Sequence, residues 1–216
     1  HYIYKSDNNS WKIKKGTWII NKPLAINGNL IIEGGTTLSF AHDSYLIIKG
    51  NIEAKGTIKD KIIFKAKDDV WKGIYVLNSS KKSILENVLI QNTTALTDGI
   101  LNLTGGVNFY KSDVEIKNTK FENSIAEDSL NIVHSNFILD NVSIHKSVSD
   151  GFDSDFSKGK IINSKFSNIS GDAVDFSGSI VEINNCEFYN IHDKAVSSGE
   201  ASNISISNIL INNIGV

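Results

Sequence analysis

Acidic residues recur in the C-terminal half of the chain at a step of 22 residues. Two Asp-x-x-Asp motifs stand in register at this step, and a lysine continues the first column one step further: Asp150, Asp153, Asp172, Asp175 and Lys194. If the chain coils upon itself with this period, the five side chains become neighbours on one surface. Crowded carboxylates are unfavourable unless a cation, a proton or a ligand compensates their charge. These residues are therefore the best candidates for a functional site.

The two columns continue beyond the motifs and show that acidic residues are not obligatory in them. Asp128 precedes Asp150 by the same step, whereas Asn131 and Ser197 occupy the second column before and after its two aspartates. The second column thus accepts a neutral residue at both ends. What the repeat does not require is a pair of aspartates on two successive repeats, followed by a lysine.

An asparagine column with nearly the same step predicts the fold. Its members are Asn118, Asn141, Asn163, Asn185 and Asn208. Short stretches alternate apolar and polar residues, which is typical of strands, and no stretch keeps the period of a helix. We therefore predict an all-β fold, a parallel β-helix (solenoid) of about nine rungs with coils of about 22 residues. The asparagines are expected at turns, where their amides can bond from rung to rung.

The repeat extends over the whole chain, so we predict a single domain over residues 1–216. Residues 1–22 are expected to form an N-terminal capping region. One coil is longer than the others by about nine residues, and we assign this excess to a protruding loop at 93–112. The last coil ends at Val216 with apolar side chains that need a cover. We therefore expect additional domains beyond residue 216, or a partner that covers this end.

Composition argues against several classes of function. The net charge is −2 and the chain contains no arginine, so we expect no nucleic-acid partner. No apolar run approaches the ~18 residues of a membrane-spanning helix, so no membrane span is predicted. Cys186 is the only cysteine and falls in an apolar column, which predicts a core residue. Trp71 is a candidate face for stacking against a sugar ring.

Two segments of the N-terminal half resemble the entry coils of bacterial right-handed parallel β-helix proteins of the pectin-lyase-like type. The segments are residues 22–56 and Trp71-Lys-Gly-Ile74. The later acidic repeats resemble an uncharacterised subgroup of secreted or surface proteins with this fold. The resemblance implies a right-handed solenoid, a secreted or cell-surface bacterial location, and binding or processing of an extracellular acidic polysaccharide.

A narrower similarity links the acidic motifs to pectate lyases of polysaccharide lyase family 9. Asp150-Gly-Phe matches one segment of that family, and Asp172 and Asp175 match the next. In that family these segments hold Ca²⁺, and a downstream lysine is the base. Gly171 stands where the family has another aspartate, and Lys194 follows more closely than the family's base. The similarity implies cation-assisted β-elimination.

The residue types themselves also point to a calcium site. Ca²⁺ binds about six to eight oxygen ligands, many of them from carboxylates. We predict Ca²⁺ as the cofactor, held by Asp150, Asp153, Asp172 and Asp175. The alternative is a plain ladder of solvated turn residues, because Asp is common at turns.

Lys194 is the predicted general base, with Asp175 as the second catalytic residue. A lysine next to a cation has a lowered pKa and can abstract the proton α to a uronate carboxylate, while the cation stabilises the enolate charge. Asp153, Asp155 and Glu200 are predicted to bind the substrate. In the alternative, Lys194 only neutralises the preceding residue of its column.

Two other functions stay open at this point. Asp153 and Asp175, one rung apart, would have a separation close to the about 5–5.5 Å of retaining glycosidases, although every stacked acidic pair in a solenoid shares it. The competing class is a non-catalytic adhesion or structural rod, which binds a partner through the 93–112 loop and the lateral strands.

Overall fold

The computed structural model describes residues 1–99 and 101–215, and within them the chain forms strands and turns with no helix. Parallel strands stack into a β-solenoid of about nine turns, so the predicted fold class is confirmed. Equivalent residues on successive turns are 22 or 23 positions apart in the C-terminal half, as for Asp128 and Asp150. Ile100, within the predicted loop, and Val216, the predicted end of the domain, lie outside the described residues.

Most turns contribute three strands, and corresponding strands form three stacks along the solenoid axis. Stack 1 consists of β2 (Ser10–Ile13), β5 (Asn29–Ile32), β8 (Ile52–Lys55), β11 (Ser83–Glu86), β16 (Val114–Lys117), β19 (Asn136–Asp140), β22 (Lys158–Ile162) and the first halves of β25 (Ile180–Ile191) and β27 (Asn203–Ile214). Stack 2 consists of β3 (Thr17–Ile20), β6 (Thr37–Phe40), β9 (Ile62–Ala66), β12 (Val88–Gln91), β17 (Lys120–Ser124), β20 (Ser143–Ser147), β23 (Lys165–Ile169) and the second halves of β25 and β27. Stack 3 consists of β4 (Leu24–Asn27), β7 (Leu46–Lys49), β10 (Ile74–Leu77), β15 (Val107–Tyr110), β18 (Asp128–Val133), β21 (Asp150–Asp155), β24 (Val174–Ser177) and β26 (Ser197–Ser198).

Alternation along each strand places one set of side chains inside the solenoid and the other on its surface. In β21, Phe152 is fully buried in the core, whereas the flanking carboxyl side chain of Asp153 is only half-buried. Cys186 lies in the same continuous core, as predicted. The prediction of a sugar-stacking face at Trp71 is wrong, because this side chain is 0% exposed and its ring stacks on Phe40 with centroids 4.0 Å apart.

The predicted asparagine column lies at the turn between stacks 1 and 2, and its members have left-handed backbone conformations. Asn141 Nδ2 donates to Asn118 Oδ1 at 2.7 Å, and Asn185 Nδ2 donates to Asn163 Oδ1 at 2.7 Å, so the predicted ladder forms at these two steps. At the other two steps the donors bond outside the column, to Asp140 and Asn184. A second ladder, which was not predicted, lies at the turn between stacks 2 and 3: Asn92, Asn123, Asn168, Asn190 and Asn213.

The N-terminal region differs from the predicted cap at 1–22. The strand β1 (Ile3–Asp7) pairs antiparallel with β2, but β2 and β3 already belong to the stacks because Ile13 and Ile20 are buried in the core. The region outside the repeat is therefore limited to the residues before Ser10. Tyr2 stacks on Trp18 with ring centroids 5.8 Å apart, and both rings pack against the end of the core.

The long coil differs from the predicted protruding loop at 93–112. Its excess forms an antiparallel hairpin of β13 (Leu96–Asp98) and β14 (Leu101–Leu103), and the chain has rejoined stack 3 at β15. The hairpin folds down onto the outer face of stack 3 because Leu96 packs there with Tyr45 and Tyr75 in a small apolar cluster. Tyr45 Oη also donates to Asp98 Oδ2 at 3.0 Å.

Candidate functional site: a carboxyl-lined cleft on stack 3

The second acidic column lies on the outer face of stack 3. Asn131, Asp153 and Asp175 stand directly opposite one another on three successive turns, in β18, β21 and β24. Adjacent strands in a sheet are about 4.8 Å apart, so Asp153 and Asp175 are neighbours across one rung. The structure thus brings these residues together in the register that the 22-residue step predicts.

The first column is formed by Asp150, the first residue of β21, and by Asp172 and Lys194, which lie in the turns before β24 and β26. Asp150 Oδ1 accepts a hydrogen bond from the backbone N–H of Asp172 at 2.8 Å, and Asp172 Oδ1 accepts one from the N–H of Lys194 at 2.8 Å. Each carboxylate therefore holds the backbone of the following turn. This contact gives the first column a structural role.

The ammonium group of Lys194 is engaged by two carboxylates. Its Nζ lies 2.9 Å from Asp193 Oδ2 and 3.4 Å from Asp172 Oδ1. These contacts, with the hydrogen bond to Asp193 the strongest, raise the pKa of Lys194. A general base needs the opposite shift, so the geometry agrees better with the alternative in which Lys194 neutralises Asp172.

Asn131 joins two carboxyl groups from neighbouring turns. Its Nδ2 donates to Asp128 Oδ2 at 3.1 Å and to Asp153 Oδ2 at 2.9 Å. Asp128 is itself buried, with 4% exposure. Burial, with a further contribution from the neighbouring carboxyl groups, raises the pKa of Asp128 to about 7 and that of Asp153 to about 8. Protonation is therefore available to relieve the charge crowding in this cluster at neutral pH.

A cleft of about 560 Å³ lies between the hairpin and the outer face of stack 3. The hairpin side contributes Asn102 and Leu103, and stack 3 contributes the carboxyl groups of Asp153 and Asp155. Burial raises the pKa of Asp155 as well, with a smaller contribution from the charge of Asp175. The rest of the described lining is apolar or uncharged: Leu77, Asn78, Thr104, Asn108, Phe109, Tyr110, Asn131 and Val133.

Only some of the predicted site residues line the cleft. Asp153 and Asp155 line it, whereas the other predicted site residues lie outside its described lining: Asp150, Asp172, Asp175, Lys194 and Glu200. Glu200 is exposed in the turn after β26, where its carbonyl oxygen accepts a hydrogen bond from the N–H of Gly178 at 2.8 Å. The predicted substrate-binding set is therefore split between two places on the solenoid.

The predicted Ca²⁺ site does not fit the donor arrangement. Carboxylate oxygens suit Ca²⁺, but Asp150 and Asp172 each have one oxygen committed to a backbone N–H. Within residues 1–99 and 101–215, no group of three or more His, Cys, Asp and Glu side chains has an arrangement that could hold a metal ion. Residues of the same column follow one another along the axis, one on each turn.

Most cleft residues were absent from the predicted site, among them Asn102, Asn108 and Tyr110. Asn108 lies opposite Asn131 in the register of stack 3, so extending the second column upstream by 23 residues finds it. The repeat could not predict Asn102 as a site residue, because Asn102 lies in the hairpin, which interrupts the repeat. Its place in the cleft depends on how the hairpin packs.

Comparison with known proteins identifies no family for this chain. No family model matches it, and no curated protein sequence is significantly similar to it. Among solved structures, ORF18 of Geobacillus virus E2 aligns with 93% of this chain at 10% identity and a TM-score of 0.39. The aligned part spans 52% of that protein, and a similarity of this size carries no information on function. The described part of the chain contains no helix with the length and apolar character needed to span a membrane.

Proposed function

We propose that the cleft on stack 3 binds a polysaccharide chain and that Asp153 and Asp155 cleave a glycosidic bond by acid–base catalysis. The supporting observation is a pair of carboxyl groups, both with raised pKa, on one wall of a cleft of about 560 Å³. Glycoside hydrolysis generally needs two carboxyl groups in different protonation states. Perturbed carboxyl groups that line a cleft are a recurrent mark of such sites.

The spacing of the two residues favours an inverting reaction. Asp153 and Asp155 are two residues apart on one face of β21, which separates their backbones by about 6.6 Å. Inverting glycosidases hold their carboxyl groups about 6.5–9.5 Å apart, so that a water molecule fits between base and sugar. Side chains that project in parallel from this backbone spacing would place their carboxyl groups near the lower end of that range. The pair Asp153–Asp175, which the sequence suggested for a retaining reaction, is less suitable because Asp175 is outside the described cleft lining.

In the proposed reaction, Asp153 is the general acid and Asp155 is the general base. Asp153, with a pKa of about 8, is protonated at neutral pH and donates its proton to the glycosidic oxygen as that bond to the anomeric carbon breaks. Asp155 is the other carboxyl group of the cleft lining, and we assign it the role of base. It takes a proton from the attacking water, whose oxygen bonds to the anomeric carbon, and one water is consumed for each bond cleaved.

The cation-assisted β-elimination expected from the lyase similarity is a weaker proposal. The raised pKa of Lys194 opposes its use as a base, and among the described residues no group of carboxyl side chains is arranged to hold a metal ion. The described cleft lining carries carboxyl groups without a lysine, which favours a neutral saccharide over the expected acidic one. The pectin-lyase-like relationship and the secreted or cell-surface location stay predictions, and such a location would give access to extracellular polymers.

The test is release of reducing ends from a panel of neutral and uronate-containing polysaccharides. Asp153→Asn and Asp155→Asn should each lower the cleavage rate by about 10²–10⁴-fold, because each removes a proton-transfer group without changing side-chain size. Glu182→Gln, on the outer face of stack 1, is the matched control and should leave the rate unchanged. Full activity in Asp153→Asn would contradict the proposal.

The same panel separates the alternatives. A lyase would release a product with the ultraviolet absorbance of an unsaturated sugar and would lose activity in Lys194→Ala. A non-catalytic adhesion module would retain polysaccharide in a pull-down without releasing reducing ends, and Asp153→Asn would not affect product formation because there is none.

A further inference from the structure

The turn between stacks 3 and 1 has asparagine at its first left-handed position, Asn78, and large side chains at the next three, whereas the two other turns carry asparagine at such positions except for Lys146. Lys111, His134 and Phe156 have φ values of 48°, 51° and 50°, followed on the next turn by Gly178 with φ 63°. The left-handed region is tolerated by Gly and Asn and disfavoured for bulky side chains. Such backbone conformations persist only where the surrounding structure holds them, and they often occur at functional sites.

The side chains at this turn form an aromatic ladder along the solenoid axis. The ring of Phe156 stacks on that of His134 with centroids 5.1 Å apart and an interplanar angle of 16°. Tyr110 meets His134 edge to face at 6.0 Å. Phe156 is 62% exposed despite its size. A Cβ at Gly178 would lie 2.6 Å from the Phe156 ring, so the glycine provides the space against which this ring lies.

The aromatic ladder adjoins the cleft on stack 3. Tyr110 belongs to the cleft lining, and Phe156 follows directly after Asp155, which lines the same cleft. On the other side of the ladder lies a depression of about 320 Å³, bordered by Lys158 and the exposed side chain of Ile180. The ladder is thus a ridge between two concave surfaces.

We propose that the aromatic ladder of Tyr110, His134 and Phe156 is a second saccharide-binding surface, which continues the chain-binding site from the cleft into the adjacent depression. Pyranose rings have an apolar face that packs on an aromatic ring and a rim of hydroxyl groups that needs polar partners. Because Phe156 and His134 stack on each other, the ridge offers a saccharide the exposed surface of Phe156. Lys158 and Asn136 of the depression supply polar groups. The inference rests on the proposed function, because it extends the saccharide-binding cleft to an oligosaccharide longer than the cleft alone would hold.

The test is binding of the wild-type protein and variants to a microarray of polysaccharide fragments of graded length. Phe156→Asn is the informative variant, because Asn occupies the left-handed positions at the other two turns and suits this backbone. We expect Phe156→Asn to melt at or above the wild-type temperature and to lose at least tenfold in affinity for the longer fragments. Ile58→Asn removes a side chain that is 84% exposed in another turn and should bind like wild type.

The outcomes distinguish this inference from the proposed function. Wild-type affinity in Phe156→Asn, with Asp153→Asn still inactive, overturns the aromatic surface and leaves the cleft. Loss of affinity in Phe156→Asn with undiminished cleavage by Asp153→Asn supports the surface and overturns the catalytic pair. A wild-type protein that binds no fragment, or one that only self-associates through Phe156, overturns both saccharide sites.

Discussion

On the outer faces of stack 1 and stack 3, residues of successive turns stand directly opposite each other. One such pair carries opposite charges on stack 1, and another carries like charges on stack 3. On stack 1, Lys160 stands opposite Glu182, and the two side chains form an ion pair at 2.6 Å. On stack 3, Asp153 stands opposite Asp175 in the equivalent arrangement. Both pairs are separated by one strand spacing of about 4.8 Å. The comparison shows that the solenoid imposes the spacing, whereas the residue types alone decide whether that spacing stabilises or destabilises.

The pKa values of two half-buried carboxyl groups record this difference. On stack 1, hydrogen bonds from Lys117 and then Lys82 lower the pKa of Glu115 to about 2. On stack 3, burial and the neighbouring aspartates raise the pKa of Asp153 to about 8. Lysine side chains thus neutralise Glu115 on stack 1. The described neighbours of Asp153 on stack 3 are Asn131 and other aspartates. The lack of a lysine costs stability at neutral pH, and in the proposed function it keeps a proton on Asp153 for transfer.

Replacing Asn131 by aspartate should give the largest effect, because it turns the only described neutral bridge between Asp128 and Asp153 into a third acid. Loss of the amide donor and added repulsion should destabilise the fold by about 2–3 kcal/mol at pH 8. At pH 5 the neighbouring acids are protonated, so the loss should be smaller. Thermal melting at both pH values measures the effect.

The exposed Asn8 supplies the control for this substitution. Asn8→Asp adds the same charge outside the acidic cluster and should change stability by less than about 0.5 kcal/mol. An equal loss for Asn131→Asp at pH 5 and pH 8 would show that repulsion among the carboxyl groups is not the cause.

The pH dependence of stability should follow from the raised pKa of Asp153. The folded state keeps the proton to about pH 8, whereas the unfolded chain releases it near its ordinary pKa of about 3.9. Folding therefore binds a proton between these values, so stability is highest near pH 4 and falls as pH rises to about 8. Asp153→Asn should flatten this decline and be more stable than wild type by about 1–2 kcal/mol at pH 8.

Urea denaturation from pH 4 to pH 9 measures this profile. The carboxyl group of Asp128 has a pKa of about 7. Asp128→Asn removes this group and should therefore flatten the part of the decline in stability that lies below about pH 7. Stability that rises with pH over this range in the wild-type protein would show that the carboxyl groups are ionised in the fold.

Removing an ion pair from stack 1 should have the smallest effect. Lys160 and Glu182 have side chains that are 56% and 45% exposed, so solvent screens their attraction. Lys160→Gln should therefore destabilise the protein by less than about 0.5 kcal/mol, and salt should reduce even this effect. A loss above about 1 kcal/mol in urea denaturation would mean that the two faces differ less than their charges indicate.

Much of the fold could be predicted because the sequence repeats every 22 or 23 residues and each repeat forms one turn of the solenoid. The asparagine column predicted a turn, and the bond from Asn141 to Asn118 confirms it. The second ladder was not predicted because Lys146 stands in place of asparagine in the middle of its column. At that step Asn168 forms its hydrogen bond with His145. A column with one substitution is harder to recognise in sequence, although the backbone conformation at Lys146 is the same.

The candidate site was predictable only in part. The 22-residue step placed Asp153 opposite Asp175, because register in a parallel stack follows from coil length. It could not assign protonation, since the pKa of Asp153 depends on burial that all its neighbours create together. The prediction of Lys194 as a base failed for a different reason: its ammonium group donates to the adjacent Asp193, and this hydrogen bond raises its pKa.

The sequence by itself determined the solenoid and the stacking of like residues, because both depend on a repeat that each coil carries locally. Only the tertiary structure decided which acidic residues share a cleft. That cleft exists because the hairpin folds back onto stack 3 through contacts such as Tyr45 with Asp98, which are 53 residues apart. Contacts of such long sequence separation follow from packing in three dimensions, and no period in the chain encodes them.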